Sequence, residues 1–134
     1  MTAVLPLIQA LRSQTPPGIT AHAGEAPSDA TLPWLVLNVT LPDSERTEGG
    51  HTAGTGELLV TVAGLTEDQT IVWASRAVRA WRGARVTVPG WQVGALVQRG
   101  DVSMFPDDVT IASTNRRVQV AKIHFAFTCS ETED

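Results

Sequence analysis

The stretch Leu65–Gly83, LTEDQTIVWASRAVRAWRG, constrains the fold more than any other part of the chain. It carries the only strong helix pattern in the central region. Thr66 is a good N-cap, and Gln69 three residues later completes a capping-box pattern. Glu67 and Asp68 place negative charge in the first turn, where the helix dipole favours it. Ile71, Ala74, Ala77, Val78 and Trp81 recur at three- and four-residue spacing and form one apolar stripe. Arg76, Arg79 and Arg82 fall mostly off that stripe, and Gly83 is a natural stop. Strand-like runs flank the helix, Glu57–Ala63 before it and Arg85–Val88 after it. An amphipathic helix between strands buries its stripe by lying across one face of a sheet.

The remaining elements follow from local patterns. Val4, Leu5, Leu7, Ile8 and Leu11 suit a short amphipathic helix over Ala3–Ser13, with Pro6 tolerated in its first turn. The TPPG turn at Thr15–Gly18 ends it, and Ile19–His22 reads as a short strand. Leu32–Leu41 reads as a strand with Leu35, Leu37, Val39 and Leu41 on one face and Trp34 and Val36 on the other. Trp91–Arg99 is a further strand candidate, Phe105–Asp108 a turn, and Val109–Ala112 a short strand. Arg117–Thr128 closes the chain as a strand with Ile123, Phe125 and Phe127 on one face and Val118 and Val120 on the other. That change of face predicts a bulge near Ala121 or cover on both sides. The element order α-β-β-α-β-β-β predicts an α+β fold with a mostly antiparallel sheet, one main helix across a face and a short N-terminal helix. At 134 residues the expectation is a single domain over residues 1–134, with an acidic tail fraying over 128–134.

Chemistry is sparse. The chain lacks a phosphate-binding loop, a dinucleotide fingerprint and a nucleophile elbow. His22, His51 and His124 lack metal-ligand spacing, so neither a metal nor a cofactor is expected, and no enzyme. The loop Pro42–Gly56 has four glycines and no aliphatic residue larger than Ala. Such a segment is a mobile hairpin tip or one that orders on assembly, with fast amide exchange in the isolated subunit. Asp43, Glu45, Arg46, Glu48 and His51 give it charge suited to a partner; a weak divalent-cation site there is a lesser reading. Trp34 and Trp81 read as core residues. Trp73 and Trp91 suit a partner surface, where Trp is enriched, together with Arg76 and Arg79.

The net charge of −4 argues against a dedicated nucleic-acid binder. No apolar run approaches the roughly 20 residues that cross a bilayer, so no membrane role is expected. The single Cys129 excludes an internal disulfide, suits a cytosolic product and reads as a buried or half-buried residue.

Taken together, the pattern resembles the tail terminator, or tail completion, proteins of long-tailed phages, including the minor tail protein U group. The residues that carry it are the N-terminal helix Ala3–Ser13, the Leu32-Pro33-Trp34-Leu35-Val36-Leu37 entry into a long strand, the Glu57–Ala63 strand, the Ala-, Arg- and Trp-rich helix Asp68–Arg82, and the closing strands at Trp91-Gln92-Val93 and Arg117–Phe127. The resemblance runs from about Thr2 to Thr128. It implies a structural virion protein of the tail, assembled in the bacterial host cytoplasm. Such a protein forms a ring with itself, expected to be a hexamer. That ring caps the major tail tube protein, stops its polymerisation and offers the surface that meets the head–tail connector. DNA passes through without specific binding. The alternatives are a head–tail connector or head-closure protein and, further off, a non-phage α+β binding module. A ring neighbour would also cover Trp34, Val36, Val118 and Val120, which stand opposite the helix face.

Overall fold

The structure, a computed structural model, describes residues 5–24, 26, 30–41, 53–111 and 116–131, with the side chains at 53, 103–111 and 116–118 set aside. Two helices and six strands follow in the order α1 (Leu5–Arg12), β1 (Thr20–Ala23), β2 (Trp34–Thr40), β3 (Ala53–Gly64), α2 (Glu67–Trp81), β4 (Trp91–Val93), β5 (Val97–Ile111) and β6 (Arg116–Glu131). The strands form one sheet ordered β1-β2-β3-β6-β4, with β5 also pairing β6. Every pairing is antiparallel except that of β1 with β2. The α+β fold with a mostly antiparallel sheet is therefore as the element order predicts.

The centre of the sheet is the β3–β6 ladder, which runs without a break from Ala53↔Ser130 to Gly64↔Gln119. Alternation along these strands sends Leu58, Val60 and Val62 of β3 to the same face as Ala121, Ile123 and Phe125 of β6. Leu35 and Leu37 of β2 join them, opposite Val62 and Val60. Both helices pack on this face, α1 through Leu7 and Leu11 and α2 through Ala74, Ala77 and Trp81. Gly56 makes the close packing possible: a Cβ there would stand 2.6 Å from the ring of Phe127.

α2 is capped at Thr66 and stops before Gly83 as the sequence pattern predicts, with the Gln69 side chain bonding the residue before the N-cap rather than the N-cap itself. The Thr66 hydroxyl accepts from the Gln69 N–H at 3.1 Å, and the Gln69 side chain accepts from the Leu65 N–H at 2.8 Å. Gly83 takes a positive φ of 77° just after the helix, and its N–H donates to Leu96 O at 2.7 Å. The buried face differs from the predicted stripe at Ile71, and Val78 is only half-buried. Ile71 is 41% exposed, and Thr70 is fully buried in its stead. The Thr70 hydroxyl lies 2.8 Å from Thr66 O and 3.3 Å from Gln119 O, so a polar side chain is satisfied where the helix meets β6. Gly64 lets the first turn come that close, since a Cβ there would fall 2.5 Å from the Thr70 hydroxyl.

Other boundaries shift for identifiable reasons. Arg85–Val88 is irregular rather than a strand, apart from a bridge between Val88 and Trp91; Val86 and Val88 still reach the core. β4 ends at Val93; the Gly94 N–H makes one further bond to Thr128 O, and Leu96 then exchanges hydrogen bonds with Gly83 and Ala84 instead of β6. Phe105–Asp108 is not a turn: β5 continues through it and absorbs the irregularity as a register shift between Pro106 and Thr110. The shifts lie on β5, and β6 alternates without a bulge at Ala121. Residues 53–56, assigned to a loop by their glycines, extend β3.

The second sheet face is partly covered from within. Val120 and Ala63 are buried there, with Leu32 and Trp34 packed against them. Val36 is only 6% exposed. A neighbouring subunit is therefore not needed to cover Val36 or Val120. The side chain of Val118 lies outside the described residues.

Trp81 is fully buried, and its Nε1–H donates to Leu11 O at 2.9 Å. Trp81→Ala should cost about 3–5 kcal/mol in urea unfolding. Trp73→Ala, at a half-buried position, should cost much less; equal losses would mean that the inner face of α2 is misassigned.

Candidate partner interface

The outward side of α2 gathers three of the expected interface residues. Trp73 is half-buried and Arg76 and Arg79 are exposed, all on one 15-residue helix. The Arg76 guanidinium stacks over the Trp73 ring, 4.5 Å from its centroid. This contact holds Arg76 against the helix and spreads its charge over an apolar base. Trp73 in turn meets Gly18, where an added Cβ would stand 3.2 Å from the indole. The tryptophan thus seats the segment after α1 while showing its other side to the surface.

Arg79 stands between two grooves. One, of about 370 Å³, is lined by Gln14, Thr15, Pro16, Pro17, Arg76, Arg79 and Ala80. The other, of about 410 Å³, lies between α2 and β5 and is lined by Ile71, Ala74, Ser75, Val78, Arg79, Arg82, Gln98 and Val102. Ile71 and the neighbouring Val72 are 41% and 46% exposed. The helix therefore offers apolar surface beside a row of cations. Arg76, Arg79 and Arg82 line these two grooves and so place positive charge along them on a chain whose net charge is −4.

Trp91 does not belong to this surface. It is 7% exposed and part of the core. The turn closed by its N–H to Val88 O at 3.1 Å sets it at the start of β4, opposite Glu131 of β6, with its side chain towards the helix-covered face. A Pro-Gly turn before an aromatic residue looks like an exposed tip in sequence; here the turn folds back onto the sheet end. Asp43, Glu45, Arg46, Glu48 and His51, with any cation site among them, lie outside the described residues, as does most of the Pro42–Gly56 loop. Sequence periodicity missed the exposure of Ile71, which it places in the apolar stripe; Val72 falls outside that stripe and is exposed accordingly.

A third cleft, of about 660 Å³, opens at the end of the sheet and is lined in part by Arg85, Trp91, Gln92, Thr128 and Cys129. Its chemistry is modest. His124 is exposed on the second sheet face, and among the described residues no group of three or more His, Cys, Asp or Glu side chains is placed to hold a metal. Among the same residues no helix is long and apolar enough to cross a membrane.

No protein-family model matches the chain, and no curated protein matches it. Its fold is shared with a chain in the solved structure described as "Virion of native gene transfer agent (GTA) particle". The likeness has a TM-score of 0.58 at 11% identity, and covers 94% of this chain and 91% of that one. The α+β architecture is thus found, nearly end to end, in a component of a virion particle.

Cys129 is buried at 3% exposure, and burial pushes its thiol above the ordinary value, so it stays protonated at neutral pH. Its ionisation opposes folding: the penalty is absent below the ordinary thiol pKa and grows as pH rises above it. Iodoacetamide at pH 8 should modify the native chain at least about tenfold more slowly than the urea-unfolded chain. Equal rates would place the thiol outside the core.

Proposed function

We propose that this chain is a structural virion protein that acts as a tail terminator. In this reading it forms a ring, most simply a hexamer, on the last layer of the tail tube. The ring ends polymerisation of the tube protein and presents the surface to which the connector of the filled head attaches. Its role is architectural rather than catalytic, and DNA slides through without sequence recognition. The observation that carries the reading is the end-to-end fold likeness to a virion chain, taken with the element-by-element resemblance to the terminator family. The surface of α2 supports it. A mixed apolar and arginine-rich strip on an otherwise acidic subunit is suited to meeting another copy, with an affinity that falls as salt rises.

The test is to add the purified protein to purified tail tubes and image their ends. Capped tubes that no longer elongate are expected. If the protein leaves tube ends bare, or binds only to heads that lack tails, the connector role replaces this one.

A further inference from the structure

We propose that α2 is the joint between successive copies: the acidic first turn of α2 in one copy seats against the arginine-bearing end of α2 in the next. This deepens the ring reading and rests on it. The occupant is a second copy of this chain, chosen by charge complementarity. Glu67 and Asp68 are exposed at the start of the helix, and Arg79 and Arg82 are exposed at its end. Between 11 and 15 residues separate the two groups, which is about 16–22 Å along the axis. That exceeds the three- or four-residue reach of a pair within one helix. Among the described residues no cation pairs with Glu67 or Asp68, and no carboxylate pairs with Arg79 or Arg82.

Each charged end also suits the helix dipole, but the dipole gives no account of the apolar surface beside them. Ile71 and Val72 stand exposed one turn beyond the acidic residues. The groove between α2 and β5 has Ile71 at one end and Arg82 at the other, with Val78 and Val102 in its lining. An incoming first turn brings carboxylates to Arg79 and Arg82 and an apolar side chain to the groove. The two surfaces are different patches of the same chain, so the contact is heterologous. Repeated with the right rotation it closes into a ring.

The pairing predicts an outcome that general stickiness does not. Glu67→Arg with Asp68→Arg gives a copy that is basic at both ends of α2. Arg79→Glu with Arg82→Glu gives one that is acidic at both. Each variant alone should associate at least about tenfold more weakly than the wild type at low salt, read by sedimentation velocity. An equimolar mixture should recover assembly, because the two can alternate in an even-numbered ring. Far-UV circular dichroism and the thermal midpoint of each variant guard against loss of fold, and Glu67→Gln with Asp68→Asn is the milder version of the first. Variants that assemble like the wild type, or a mixture of folded variants that fails to recover, overturn the pairing. If the wild type caps tubes and the exchanges change nothing, this joint is wrong and the terminator reading stands. If the mixture recovers assembly but no form caps tubes, the joint stands and that reading falls.

Discussion

The fold turns on one side chain and the bond it makes. Trp81 ends α2 inside the core, and its indole N–H reaches across to Leu11 O, the last turn of α1. α1 has only eight residues, too few to hold a helix in water by itself. It exists because Leu7 and Leu11 find a surface in the core that Trp81 also joins. The same indole fixes which side of α2 faces the β3–β6 ladder. Arg12 continues the connection outward by donating to Ala21 O at 2.7 Å, which ties the end of α1 to β1. A tryptophan with a satisfied N–H thus links helix, helix and sheet at one point.

Because the inner side of α2 is committed in this way, the outer side is free of packing demands. What it carries is informative for that reason. The helix dipole accounts for acids at one end and cations at the other, but not for large apolar side chains left exposed between them. This face has acids at the start and arginines at the end, with Ile71 and Val72 between. The proposed role as a ring-forming terminator draws on that arrangement, and on a fold shared with a chain of a virion particle.

The elements that were legible in sequence are those with strong local rules. Thr66, Gln69 and Gly83 fix the ends of α2, and alternation from Ile123 to Phe127 fixes the buried face of β6. The losses arise where tertiary contacts outweigh local signals. Pro106 and two aspartates suggest a turn, yet pairing with β6 carries β5 through them with a register shift. Trp91 looks exposed after Pro89-Gly90, but the sheet end needs an apolar residue there. Thr70 takes a buried site that hydrophobicity would assign to Ile71, because its hydroxyl finds carbonyls on both α2 and β6. Of the candidate interface, Trp73, Arg76 and Arg79 were legible off the apolar stripe; the exposure of Ile71 was not, since its spacing puts it in the stripe and nothing local says how far α2 rolls on the sheet.

The most direct measurement of the central claim is a cryo-electron microscopy reconstruction of intact particles that carry this protein. The account predicts a single ring of this chain at the head-proximal end of the tail tube, with its symmetry matched to the last tube layer and α2 at the boundary between neighbouring subunits. Density for the chain within the head vertex, repeated along the tube, or in a ring whose subunits meet away from α2 would contradict it.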